Sequence, residues 1–197
     1  MSPTVEFWFE FASTYSYPAA LRVEDEARAR GVEVAWRPFL LRPIFAEQGW
    51  QDSPFNLYPA KGVYMWRDLE RICARLGLPW RRPSVFPRNG LHAARVACAN
   101  EEASWLPDFV RCVYTANFAE DRDPADSAVL ASILEGLGQT AAPILEASRG
   151  DEAKAKLRRR TDEAAAHGLF GAPSFRVAGE LYWGNDRLEA ALDHAAG

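Results

Sequence analysis

Apolar and polar positions change period twice along the chain. Val5 to Ala12 is almost continuously β-branched or aromatic, which is strand composition. It stops at Ser13-Thr14-Tyr15-Ser16 and gives way to a stripe of helical period, Ala20, Val23 and Ala27, ending at Gly31. Pro18 lacks an N–H and suits a first helical turn, so the helix is expected to start near Tyr17 with Ser16 as its cap. Val32 to Leu40 reads as a second strand. A β-α-β opening needs a right-handed crossover and makes the two strands parallel.

From Pro43 to Gly168 the period is that of helices. Candidates lie near 60–76, 91–103, 105–117, 125–136 and 151–167, with Leu106, Phe109, Val110 and Val113 forming the clearest apolar face and Asp123 a candidate N-cap. Pro and Gly separate them. After Gly171 the strand pattern returns at Ser174–Val177 and Leu181–Trp183 across an Ala178-Gly179 turn, and Asn185 is placed to cap a last helix containing Leu188, Ala191 and Leu192. The order β-α-β, helices, β-β-α predicts an α/β layer, residues 1–43 with 168–197, split by a helical insertion over 44–167 whose last helix, 151–167, packs back on the layer.

Composition narrows the function classes. A net charge of −4, with no single-sign run longer than Arg158-Arg159-Arg160, offers no polyanion footprint, so no nucleic-acid partner is expected. The start lacks a basic region followed by an apolar one, and no apolar stretch reaches ~18 residues, so the expectation is a cytoplasmic protein without a membrane partner. The cysteines, Cys73, Cys98 and Cys112, are widely spaced and odd in number, against a disulfide framework and any Cys-x-x-Cys redox pair. His92, His167 and His194 are equally dispersed, and no metal is expected.

The junction at Ser13 carries the candidate chemistry. A strand delivering its last residues to a helix mouth exposes free N–H groups and the positive end of the helix dipole, which favour a thiolate or oxyanion. Taken alone, a serine there is most simply an N-cap. Five collinear motifs change the weighting: Phe-Glu-Phe-Ala-Ser-Thr-Tyr-Ser-Tyr at 9–17, Pro-Ala-Lys-Gly-Val-Tyr-Met at 59–65, Phe-Pro-Arg-Asn-Gly-Leu-His-Ala-Ala-Arg at 86–95, Gly-Ala-Pro-Ser-Phe at 171–175 and Trp-Gly-Asn-Asp-Arg-Leu at 183–188. Together they resemble the 2-hydroxychromene-2-carboxylate isomerase family, in the DsbA-like, kappa-class glutathione transferase branch of thioredoxin folds.

The resemblance implies a thioredoxin-like fold, a homodimer and glutathione as cofactor, with Ser13 holding its sulfur. It implies a cis Ala172–Pro173 bond whose preceding residue pairs with the glutathione backbone, and a γ-glutamyl site at Trp183, Gly184, Asn185 and Asp186. Lys61 would attract a carboxylate of glutathione or of an anionic aromatic substrate, and Arg88 and Asn89 would bind the substrate. For these last three, solvation or loop capping is the plainer alternative. Thr14 departs from the family's proline after the serine, and Thr14 or Ser16 is a candidate second hydroxyl donor. The implied reaction is glutathione-dependent isomerisation of a 2-hydroxychromene-2-carboxylate-like compound. The alternatives are conjugation to an electrophile, as in kappa-class transferases, and a noncatalytic thioredoxin-like binding module.

Overall fold

The computed structural model describes residues 2–197 and turns the aromatic run into strand β1 (Thr4–Phe9). Helix α1 (Ser16–Ala29) follows and leads to strand β2 (Glu33–Pro38), which is parallel to β1. Near the other end of the chain, β3 (Ser174–Val177) and β4 (Glu180–Trp183) form an antiparallel hairpin, and β3 pairs antiparallel with the free edge of β1. The sheet order is β2-β1-β3-β4. Between its halves run α2 (Leu41–Glu47), α3 (Pro54–Leu57), α4 (Pro59–Leu76), α5 (Leu91–Ala99), α6 (Leu106–Phe118), α7 (Ser127–Gly136), α8 (Ala141–Arg149) and α9 (Asp151–Ala166), and α10 (Leu188–Ala196) closes the chain.

Three helices go beyond the periodicity of the sequence. α2, α3 and α8 are short and each contains a proline in its first turns, Pro43, Pro54 and Pro143, which interrupts the apolar period. Two caps differ from expectation. Asp126, not Asp123, caps α7 by accepting the Ala128 N–H at 2.8 Å, while Asp123 closes the preceding turn on the Ala125 N–H at 2.9 Å. Asn185 does not cap the last helix; it opens a 3₁₀ turn, Asn185–Arg187, and α10 begins at Leu188.

β1 lies in the middle of the sheet and is covered on both faces, which is why its sequence is nearly continuous in apolar residues instead of alternating cleanly. Phe7 and Phe9 face α1, α6 and α10; Phe7 stacks on Phe175 at 5.3 Å and meets Trp36 edge-on at 5.1 Å. Trp8 points to the opposite face, against Phe39, Ile44 of α2 and Ala164 of α9. The apolar cluster around Phe7 and Phe9 continues through α5, α6, α7 and α8, so the insertion shares its core with the sheet. No helix among the described residues is long and apolar enough to cross a membrane.

Phe9 is fully buried and touches Phe7, Phe11, Trp36 and Tyr114. Phe9→Ala is expected to lower the unfolding free energy by about 3–5 kcal/mol, the usual range for deleting a buried aromatic ring. Urea unfolding checks this; a loss under ~1 kcal/mol would mean that the ring is not part of a tightly packed core.

Candidate functional site

The chain turns sharply where β1 ends. The Glu10 carboxylate accepts the Ala12 N–H at 3.0 Å, and the Glu10 carbonyl accepts the Ser13 N–H at 2.9 Å. This turn leaves Ser13 between the strand and α1. Ser13 Oγ accepts the Ser16 N–H at 3.4 Å, answering one of the helix donors that lack an intrahelical partner. It donates its hydrogen to the Ala172 carbonyl at 2.8 Å.

Ser16 is therefore the first residue of α1 and not its cap; Tyr15 stands at the N-cap position without a side-chain cap, and Pro18 needs no partner for the N–H it lacks. Thr14 turns inward and donates to Met65 Sδ at 3.1 Å, while Ser16 is fully buried. Neither is placed as a second hydroxyl donor beside Ser13.

The Ala172–Pro173 peptide is cis and brings Ala172 opposite Ser13. The Pro173 carbonyl accepts the Gly184 N–H at 2.9 Å, tying this loop to the segment after β4. Gly184 has φ +114°, and a Cβ there would strike the Asp186 carboxylate. A Cβ at Gly171 would likewise enter the Trp183 indole. Trp183 and Phe170 meet edge-to-face at 4.9 Å and remain 53% and 45% exposed on the rim. Asn185 is buried, its carbonyl and side-chain oxygens both accepting from Arg22 at 2.9 and 3.3 Å. Asp186 is exposed and pairs with Arg187 at 3.1 Å.

α4 supplies another wall. Met65, Leu69 and Ile72 face the core, while Lys61, Tyr64, Asp68, Arg71 and Arg75, spaced alternately by three and four, line the cavity. The Tyr15 hydroxyl donates to Asp68 at 3.0 Å, and burial followed by this carboxylate pushes its phenol up. Lys61 lies 4.6 Å from the Tyr58 ring. The cavity enclosed by these walls measures about 1940 Å³.

Arg88 borders the cavity, but its buried guanidinium is engaged by the protein itself, donating to the Asn117 side chain at 3.3 Å, the Arg122 carbonyl at 3.1 Å and Ser84 at 3.2 Å, and pairing with Asp121. The carbonyls beyond the C-terminus of α6 and the Asp121 carboxylate form a strong cation site, better matched to a guanidinium than open solvent. Asn89, just ahead of the Gly90 N-cap, accepts the first N–H of α5, that of Leu91, at 3.0 Å through Oδ1, while still bordering the cavity. Glu10, Tyr15, Arg22, Asp68 and Phe170 are site residues that motif reading passed over. A carboxylate flanked by Phe9 and Phe11, and the polar period on α4, were the available signals.

Burial pushes Cys73 up to about 11 and Cys98 up to about 12, and Cys112 is also raised, so none is a ready nucleophile at neutral pH. Among the described residues, no three His, Cys, Asp or Glu side chains are grouped to hold a metal.

A strand-to-helix junction facing a cis-proline loop, on a sheet divided by helices, defines a thioredoxin-type protein. The family model for the DsbA-like thioredoxin domain matches residues 4–196, and the chain belongs to that family. It is 29% identical over 190 residues to 2-hydroxychromene-2-carboxylate isomerase of Sphingobium xenophagum, covering 96% of each chain. It is 26% identical to human glutathione S-transferase kappa 1, covering 98% of this chain and 91% of that one. A solved 2-hydroxychromene-2-carboxylate isomerase shares the fold with a TM-score of 0.87 at 24% identity, over 96% of this chain and 94% of that one.

Hydrogen bonds from the Ser84 N–H and hydroxyl, with Arg88 adding to them, hold the Asp121 carboxyl at about 2. Its stabilising contribution is complete above the ordinary value of 3.8 and is lost as pH falls through about 2. Asp121→Asn is expected to lower stability at neutral pH and to flatten the acid loss between those values. Urea midpoints against pH measure this; the same wild-type-to-variant gap at about pH 2 as at neutrality would remove the pair from the stability account.

Proposed function

We propose that the protein is a glutathione-dependent isomerase of a 2-hydroxychromene-2-carboxylate-like aromatic compound. The observation that carries this reading is the Ser13 hydroxyl, held at the mouth of α1 and hydrogen-bonded to the carbonyl of the residue before a cis-proline, on the wall of a large cavity. The relatives named above support it, one bearing the isomerase name and one the glutathione transferase name. A homodimer and a cytoplasmic location belong to the same reading.

The residues present fit glutathione. About 1940 Å³ exceeds the ~300–1,000 Å³ of common ligand pockets, leaving room for a tripeptide and a second molecule. Half-exposed Trp183 and Phe170 offer apolar contact beside Ala172, whose carbonyl would receive a backbone N–H once the Ser13 hydroxyl turns into the cavity. Asp186 supplies negative charge for an ammonium, Gly184 and buried Asn185 shape that end, and Lys61 supplies positive charge for a carboxylate.

Glutathione held there by Ser13, Ala172 and Asp186 would supply a thiolate nucleophile for reversible addition to a conjugated carbon. Ser13 donates to the sulfur and, with the N-terminus of α1, favours its charged form. Asn89, whose Oδ1 is taken by the Leu91 N–H, would have its amide nitrogen free for substrate oxygens, while Arg88, held by Asp121, fixes the loop that carries Asn89. The kappa-class relative supports the second reading, conjugation of the thiol to an electrophile in the same site.

Ser13→Ala is expected to reduce kcat/KM by about 10²–10³-fold, the usual effect of deleting one donor to a developing anion, with under ~1.5 kcal/mol lost from stability. Turnover equal to wild type would refute Ser13's role. Free glutathione measured during turnover separates the two reactions: isomerisation leaves it constant, and conjugation depletes it one for one with substrate.

A further inference from the structure

We propose that Glu10 is the proton store of this site, the carboxylate that takes up the proton when a thiol ionises at Ser13 and returns it when the thiol re-forms. The inference rests on the glutathione reading for the identity of that thiol, and on the turn at the end of β1 for the rest. Glu10 is half-buried between Phe9 and Phe11, both fully buried, where a charge is costly, and it borders the same cavity as Ser13. Its carboxylate accepts the Ala12 N–H, in the same turn that presents Ser13.

The groups packed around it leave Glu10 without a cationic partner among the described residues. From α6, the Tyr114 hydroxyl donates to the Glu10 carbonyl at 2.8 Å, and burial holds that phenol protonated far above neutrality. Asn117, also from α6, is neutral and donates to the Phe11 carbonyl at 3.4 Å. On the 86–90 loop, Arg88 is turned to Asp121; on α1, Arg22 pairs with Glu189. Burial therefore dominates and pushes the Glu10 carboxyl up to about 7, against the opposing pull of the Ala12 and Ser13 N–H groups.

A carboxylate and a thiolate on one cavity wall disfavour each other, so ionising the thiol moves the proton to the carboxyl. In this transfer the S–H bond breaks, the sulfur keeps the electron pair, and the proton goes to a Glu10 Oε. The site's net charge does not change. Isomerisation neither adds nor removes a proton overall, so a site that keeps the proton can complete the cycle without exchange with bulk water. Capping the turn is a separate task that a neutral amide oxygen performs equally well, which makes Glu10→Gln a suitable probe.

The test is to bind glutathione to the intact protein at several pH values. Thiolate is counted by its ultraviolet absorbance, and released protons by calorimetry in two buffers of different ionisation enthalpy. S-methylglutathione, which has no thiol to ionise, provides the baseline. Below about pH 7 Glu10 already carries its proton, so the ratio of protons released to thiolate formed should be near one; above it, the ratio should fall toward zero. Glu10→Gln should hold the ratio near one throughout. A wild-type ratio that stays near one on both sides of pH 7 overturns the assignment, and this arm needs no variant. Binding without thiolate also overturns it. Absence of binding overturns the glutathione reading itself, an outcome distinct from a bound, ionised thiol with a flat ratio.

Discussion

Strand β1 has no free side. β2 and β3 hydrogen-bond its two edges, Phe7 and Phe9 are sealed under one set of helices, and Trp8 is sealed under α2 and α9. A strand so enclosed offers function only at its end, and its end at Phe9 is where the chain must turn out of the sheet before α1 can begin. The turn cannot be apolar throughout, because the N–H groups of residues 12 and 13 and those opening α1 all need acceptors. Glu10 supplies them for residues 12 and 13, Ser13 Oγ for Ser16 and the Thr14 carbonyl for Tyr17. The most polar point of an otherwise hydrophobic segment is thus a consequence of burying that segment so completely.

The same enclosure explains why distant parts of the sequence meet there. β3 reaches β1 antiparallel, with Trp8 opposite Ser174, so the loop before β3 arrives beside the loop after β1. Ser13 and Ala172, separated by 159 positions, are then joined by one hydrogen bond. The Gly184 N–H on the Pro173 carbonyl continues the register from β4, and Arg22 from α1 holds Asn185 from behind. The insertion contributes α4 to the remaining wall without a core of its own. Movement of the site relative to the sheet would therefore break packing that both halves share.

Much of this was legible in the residues, and the reason differs from one feature to another. β1, β2 and the terminal hairpin carried strand composition, and α4, α6 and α9 were long enough for their period to be read. α2, α3 and α8 were not, because a proline in so short a helix leaves too few turns to show a stripe. Ser13 could be singled out from its place at a strand-to-helix junction, whereas Ala172 was placed by the resemblance of the Gly-Ala-Pro-Ser-Phe motif alone. Arg88 could be placed on its loop, but the direction of its side chain could not, since that depended on Asp121 and the α6 carbonyls 30 or so residues away competing for it. Asn185 shows the same limit: an apparent capping residue is taken by Arg22 on another helix. Sequence motifs fix where a backbone goes; the partner of a long polar side chain is decided by contacts that no local pattern contains.

The charges of the cavity are arranged by that competition. Arg88 and Arg22 are both engaged by acids, Asp121 and Glu189, and among the described residues Glu10 has no ion-pair partner. Of the other basic residues on the cavity wall, Lys61, Arg71 and Arg75 belong to α4 and Arg42 to α2. A cation beside Glu10 would hold its carboxyl ionised, and a cation beside Ser13 would hold a thiolate too firmly to leave again. A hydroxyl and a helix terminus provide weaker, neutral stabilisation, suited to a nucleophile that must both attack and depart. On the proposed function, the ion pairs of Arg88 and Arg22 would be part of that chemistry, because they engage positive charge that could otherwise act at Ser13.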